Sequence, residues 1–144
     1  MTAKERRLVA ELQRIDRQVR AHEQAHLAAA GGLARGVSFR FATGPDGRRY
    51  AVGGEVGIDT APVEGDPQAT IRKAQQVRAA ANAPANPSAQ DRAVAAQASA
   101  MEANARQDLL VERRQALEQQ IRFSQAKSFD ANGVEPGTLL NAVG

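Results

Sequence analysis

The chain has no cysteine, four Phe and one Tyr, and two histidines in 144 residues. Without cysteine, disulfides and thiolate metal sites are both excluded, so any bound metal must be held by imidazole and carboxylate. Scarce aromatics leave few platforms for stacked bases, and 19 basic against 16 acidic residues give a net charge of only +3. Neither common route to nucleic-acid binding is supported, and no nucleic-acid partner is expected. A long uninterrupted apolar run is also missing. The N-terminus, Met1 to Val19, is charged and periodic, unlike a signal peptide or a transmembrane segment, so the default expectation is a cytoplasmic protein.

What is present is mostly helix-forming. Alanine dominates a hydrophobic fraction of 42%, and Ala, Gln, Arg, Glu and Leu fill the chain outside residues 31 to 67. A chain of this length has room for one modest domain with a thin core.

From Lys4 onward, Leu8, Leu12, Ile15, Val19, His22 and His26 recur at alternating steps of four and three. This is the stripe of an amphipathic helix, which should run to about Ala30 and stop at Gly31-Gly32. Val37, Phe39 and Phe41 then alternate with polar residues, Gly44-Pro45-Asp46-Gly47 turns the chain, and Tyr50 and Val52 alternate again. That pattern predicts a β-hairpin, with a third short strand, Glu55 to Ile58, after Gly53-Gly54. Asp66-Pro67 opens a short helix to about Ala81, and Ser88 with Asp91 caps a long one running to about Lys127. The expected organisation is one domain over 1–127 and a flexible tail over 128–144.

Chemistry concentrates on the first helix. His22 and His26 stand four apart with Glu23 directly after the first, in His22-Glu23-Gln24-Ala25-His26. Residues i and i+4 lie one above the other on a helix, so both imidazoles can reach one tetrahedral zinc ion. Glu23, about 100° further round, can approach a water there as general base. The bland alternative is a packed stripe ending in two histidines, with Glu23 paired to a nearby arginine.

A catalytic zinc usually has three protein ligands and an open position. With no third histidine, the third must be a carboxylate. Ala29 and Gly32 stand where the extended HExxH motif needs Gly and His, which excludes that branch. Glu55, flanked by glycines in Gly53-Gly54-Glu55-Val56-Gly57, is the preferred third ligand, with Asp59 and Glu64 as competitors. Strand alternation argues against Glu55 if Val56 and Ile58 face the helix, unless the backbone bulges at Gly53-Gly54. Asp66, Ser88 and Asp91 read as helix caps. Tyr50 is a candidate substrate-binding residue, although a lone strand tyrosine usually packs. Arg35, Arg40, Arg48 and Arg49 flank the hairpin as solvated charge or as binders of acidic substrate.

These residues carry a resemblance. VRAHEQAHLAAAGG, GPDGRRYAVGGEVGIDTAPVEGDP and PSAQDRAVAAQA, in that order, resemble the SprA-related family of bacterial metalloproteases over roughly residues 10 to 110. The resemblance implies a metallopeptidase acting on a peptide or protein, with His22, Glu23 and His26 as its zinc site. It draws attention to GGEVGID without choosing between Glu55 and Asp59.

The competing reading is a non-catalytic helical binding or structural module with a structural metal or none. Met101, Ala105, Leu109, Leu117 and Ile121 would then form a seam for helix pairing or self-association. The expected fold is α+β and predominantly helical: an HExxH helix on a small hairpin sheet, a short helix, then a long C-terminal one.

Overall fold

The computed structural model describes the backbone of residues 1–131 and the side chains of residues 1–128. Its order is α1 (Ala3–Ala30), a short 3-10 turn (Gly31–Leu33), β1 (Ala34–Thr43), β2 (Arg49–Ile58), α2 (Pro67–Ala81) and α3 (Ala89–Ala131). The fold is α+β and mostly helical, with one antiparallel two-stranded sheet. It divides into two compact units, Met1–Ala105 and a second beginning at Arg106.

Helix α1 begins with a reciprocal cap in which Thr2 accepts from the Glu5 N–H and Glu5 accepts from the Thr2 N–H. It ends at Gly31, whose φ of 53° is cheap only for glycine. Its inward line runs Val9, Leu12, Asp16, Val19, Glu23, His26, Ala30, at alternating steps of three and four. Leu8, expected inside, is 50% exposed. The helix is therefore rotated slightly from the position hydropathy alone assigns, and the rotation carries two carboxylates inward.

One of these carboxylates fastens helix to sheet. Asp16 Oδ1 accepts from the Ala51 N–H at 2.7 Å, and Arg20 lies against the same carboxylate at 3.1 Å. The Ala51 hydrogen bond, reinforced by Arg20 against the opposing effect of burial, holds the Asp16 carboxyl below the ordinary aspartate value of 3.8. A depressed folded-state pKa contributes stability above the unfolded value, and that stability is lost as pH falls through the folded value. Asp16→Ala also leaves the fully buried Ala51 N–H without its acceptor. It should cost about 1.5 kcal/mol in urea unfolding at pH 7, a gap that closes as the pH drops below the ordinary aspartate value.

In the hairpin, Gly44 to Gly47 make the turn and Gly47 takes a φ of 77°. Two register shifts break the ladder: Arg35 is an extra residue in β1, and Val52 is one in β2. The second shift buries the consecutive Tyr50 and Ala51 and exposes Val52. Val37 and Phe41 are exposed as well, so the simple inward alternation predicted for them does not hold. Instead Arg49 covers Phe41 and Arg20 covers Phe39, with guanidinium carbons 4.4 and 5.2 Å from the ring centres. Among the described residues no separate third strand forms. Strand β2 continues through Gly53-Gly54 to Ile58 because β1 is long enough to pair Ser38, Val37 and Gly36 with Glu55, Val56 and Gly57.

Val9, Leu12 and Tyr50 form the core between α1 and the hairpin, with Ala42 against them. Asp66 caps α2 by accepting from the Ala69 N–H, and Pro67 starts the helix. Ile71, Ala74, Val77 and Ala80 of α2, and Ala95, Ala98, Met101 and Ala105 of α3, are buried. The anticipated helical seam divides: Met101 and Ala105 are interior to the first unit, whereas Leu117 and Ile121 in the second are exposed. Helix α3 runs four residues past Lys127 to Ala131, and the expected tail beyond that lies outside the described residues. Among the described residues no helix is long and apolar enough to cross a membrane.

Candidate metal centre

His22 and His26 present their rings from one side of α1, with centroids 4.9 Å apart. The two Nε2 atoms approach to 3.2 Å. Asp91, in the first turn of α3, brings Oδ2 to 3.1 Å from each of them. These three side chains form the metal-competent group among the described residues. A tetrahedral zinc ion with bonds of about 2.0–2.1 Å spaces its ligand atoms roughly 3.3 Å apart, so the triangle fits such an ion closely.

The surroundings fix which atoms offer lone pairs. His26 is 3% exposed, and its Nδ1 lies 2.7 Å from the Ala80 carbonyl at the end of α2. A carbonyl only accepts, so Nδ1 carries the hydrogen, and in the neutral tautomer this leaves Nε2, which faces His22 and Asp91, with a lone pair to offer. Two imidazole nitrogens and a carboxylate oxygen thus converge on one point. A proton on His22 would satisfy one edge of the triangle, whereas a metal cation would satisfy all three.

Asp91 has two jobs. Its Oδ2 accepts from the Ser88 N–H at 2.8 Å while the Asp91 N–H donates to Ser88 Oγ at 3.0 Å, closing the cap that starts α3. Burial pulls its carboxyl upward. The Ser88 hydrogen bonds, with the contributions of His26 and His22, outweigh that pull and hold the Asp91 carboxyl below the ordinary aspartate value.

Glu23 is 5% exposed, and its Oε2 has no hydrogen-bond partner among the described residues. An orphaned buried carboxylate oxygen is rare in a settled core. Burial, with smaller contributions from Asp91 and Glu55 and against the two histidines, raises the Glu23 carboxyl above the ordinary glutamate value. Gly54 makes room for it, since a Cβ there would sit 3.2 Å from Glu23 Cγ and 2.9 Å from Phe39 Cδ1.

His22, Glu23 and Gly54 line two adjoining cavities, of about 590 and 360 Å³. The first extends past Arg40 and Pro84; the second holds His26, Asp91 and Glu55.

The structure brings together His22, Glu23 and His26 as the sequence predicts, but the carboxylate beside them is Asp91, expected only as a helix cap, and not one of the three candidate ligands. The other carboxylate candidates fall elsewhere. Glu55 borders the smaller cavity but is exposed on β2 and is not in the three-residue group, because alternation turns it away from half-buried Val56 and Ile58. Asp59 is taken by Lys73 at 2.9 Å and Arg35 at 3.0 Å, and the Lys73 hydrogen bond holds its carboxyl below the ordinary range. Glu64 is exposed in the loop before α2. Tyr50 lines neither cavity: it is buried against Val9 and Leu12 and donates its hydroxyl to Asp46.

The sequence model of the SprA-related family matches residues 2–133, a span that contains every residue of this centre. No curated protein and no solved structure matches the chain.

Proposed function

This chain belongs to the SprA-related family, and we propose that it is a zinc-dependent peptidase in which His22, His26 and Asp91 would hold the ion and Glu23 is the general base. The observation that carries this reading is the buried, unpartnered Glu23 Oε2 beside three converging ligand atoms. A structural zinc site is normally closed by four protein ligands. The group here has three among the described residues, which favours a working site over the structural-module alternative.

When bound, zinc supplies Lewis acidity and lowers the pKa of a water it touches to about 7. The protein's own residues do the rest. Glu23, its carboxyl raised by burial into a more basic range, takes a proton from the attacking water at Oε2 and returns it to the departing amine nitrogen. His26, oriented by Ala80, keeps its Nε2 available for the ion. Support for a peptide comes from the sheet: among the described residues it has two strands, each with an edge unpaired by another strand, and β2 borders both cavities. Such an edge offers N–H and C=O groups to an extended chain.

Elemental analysis of the purified chain should find one zinc per molecule, and casein hydrolysis should stop with a chelator and resume on adding zinc. A protein that takes up no stoichiometric zinc is not this enzyme.

A further inference from the structure

We propose that Arg40 makes the larger cavity a carboxylate-binding subsite, so that the preferred substrates are peptides presenting a carboxylate there. The idea rests on the peptidase reading for what the cleft accommodates. It names the substrate class that the same cleft selects.

The hairpin and its neighbours carry several arginines, and the fold sorts them. Arg35 pairs with Asp59 at 3.0 Å. Arg20 pairs with Asp16 and covers Phe39, and Arg49 covers Phe41. Arg40 has no carboxylate partner among the described residues, and it borders the cavity that also contains His22 and Glu23.

Its placement is specific. Arg40 on β1 stands opposite Gly53 on β2, next to the extra residue Val52. A Cβ built at Gly53 would fall 2.7 Å from the Arg40 Cζ, so any side chain there would displace the guanidinium. Glycine lets the planar group lie against the strand at the border of the cleft. Guanidinium binds carboxylate through two parallel N–H···O bonds, a geometry that an ammonium or amide cannot reproduce.

The cleft is also polarised. Glu23 lines both arms, but Arg40 belongs to the larger, while Glu55 and Asp91 add further carboxylates to the smaller. A carboxylate entering the smaller arm would meet like charge, and one entering the larger arm would meet an available cation. The carboxylate could belong to an Asp or Glu side chain or to the C-terminus of the peptide. The chemistry is the same, so the test must separate the sources.

The test uses the full chain carrying Glu23→Gln, which prevents turnover, with and without added zinc. Four hexapeptides serve as probes: one with a central glutamate and one with glutamine in its place, each as free acid and as C-terminal amide. Binding is followed through the backbone amide signals of Gly53 and Gly54. The carboxylate-bearing peptide should bind at least about tenfold tighter than its neutral counterpart, as expected for hydrogen bonds to a charged group. Preference for central glutamate assigns the side chain, and preference for the free acid assigns the terminus. Arg40→Gln should bring charged and neutral peptides to near parity, and Arg40→Lys should restore part of the difference. Circular dichroism matching the parent shows that each variant is folded. Equal binding of charged and neutral peptides, no binding by any of the four, or a preference that survives Arg40→Gln overturns the assignment. Zinc content measured on the same samples separates the two readings. Carboxylate preference without zinc uptake sinks the peptidase and keeps Arg40, whereas one zinc per chain without the preference does the reverse.

Discussion

Asp91→Asn is expected to lower zinc affinity at least roughly 100-fold, measured by competition with a chromophoric chelator, while Glu55→Gln leaves it unchanged. Changing a group that merely supports a metal ligand already costs about 10–100-fold, and Asp91 reaches both imidazoles itself. The substitution isolates the metal role because asparagine keeps the length of the side chain and an oxygen that can accept from the Ser88 N–H. The start of α3 should therefore stay formed. Equal zinc affinity in Asp91→Asn and the parent would remove Asp91 from the centre. A loss confined to Glu55→Gln would restore the ligand that the GGEVG segment suggests.

Glu23→Gln should keep its zinc and lose hydrolysis by about 10² to 10⁴-fold, the usual contribution of a positioned general base. A second signature lies in stability, read on the zinc-free chain. Because burial raises the Glu23 carboxyl, the folded state holds its proton to higher pH than the unfolded state does. That difference makes the parent lose stability as pH rises from the ordinary glutamate value of 4.5 through the higher folded value. Glutamine has no such proton to lose, so this part of the decline should vanish and the variant should be at least as stable as the parent at neutral pH. A variant that retains both zinc and full hydrolysis would contradict the assigned base. One less stable than the parent at neutral pH would mean that the carboxylate has a structural partner.

Much of this is legible in the sequence alone. The capped start of α2, the glycine stop of α1, the turn at Gly44 to Gly47 and the paired histidines are local signals, each written within a few residues. What escaped was non-local or polar. The inward face of α1 includes Asp16 and Glu23, which a hydrophobic pattern counts as outward, so Leu8 was assigned the place that Val9 holds. Each carboxylate is inside for a reason no periodicity encodes: one holds the Ala51 N–H across the helix–sheet interface, and the other borders the cleft. Asp91 was hidden differently. Its spacing from Ser88 describes a helix cap correctly, and a correct local explanation gave no reason to look for a second role. Only the path of the chain, which returns the start of α3 to α1, sets its carboxylate beside the two histidines. The extra residue Val52 sits directly before the Gly53-Gly54 pair that suits a bulge, but the glycines alone do not fix which residue is extra or which hairpin side chains it turns inward.

The separation of His22 and Asp91 along the chain, 69 positions, has a consequence for an unfolded molecule. A cation held by both would cross-link the chain, and closing a loop of that length restricts the denatured ensemble by about 4 kcal/mol on the chain-entropy scale used for disulfides. The unfolded chain cannot hold the ligands together without meeting that entropic cost, so the ion would bind the folded form almost exclusively. In a protein without cysteine, chelation would then destabilise the fold by withdrawing a ligand that the native state alone binds well.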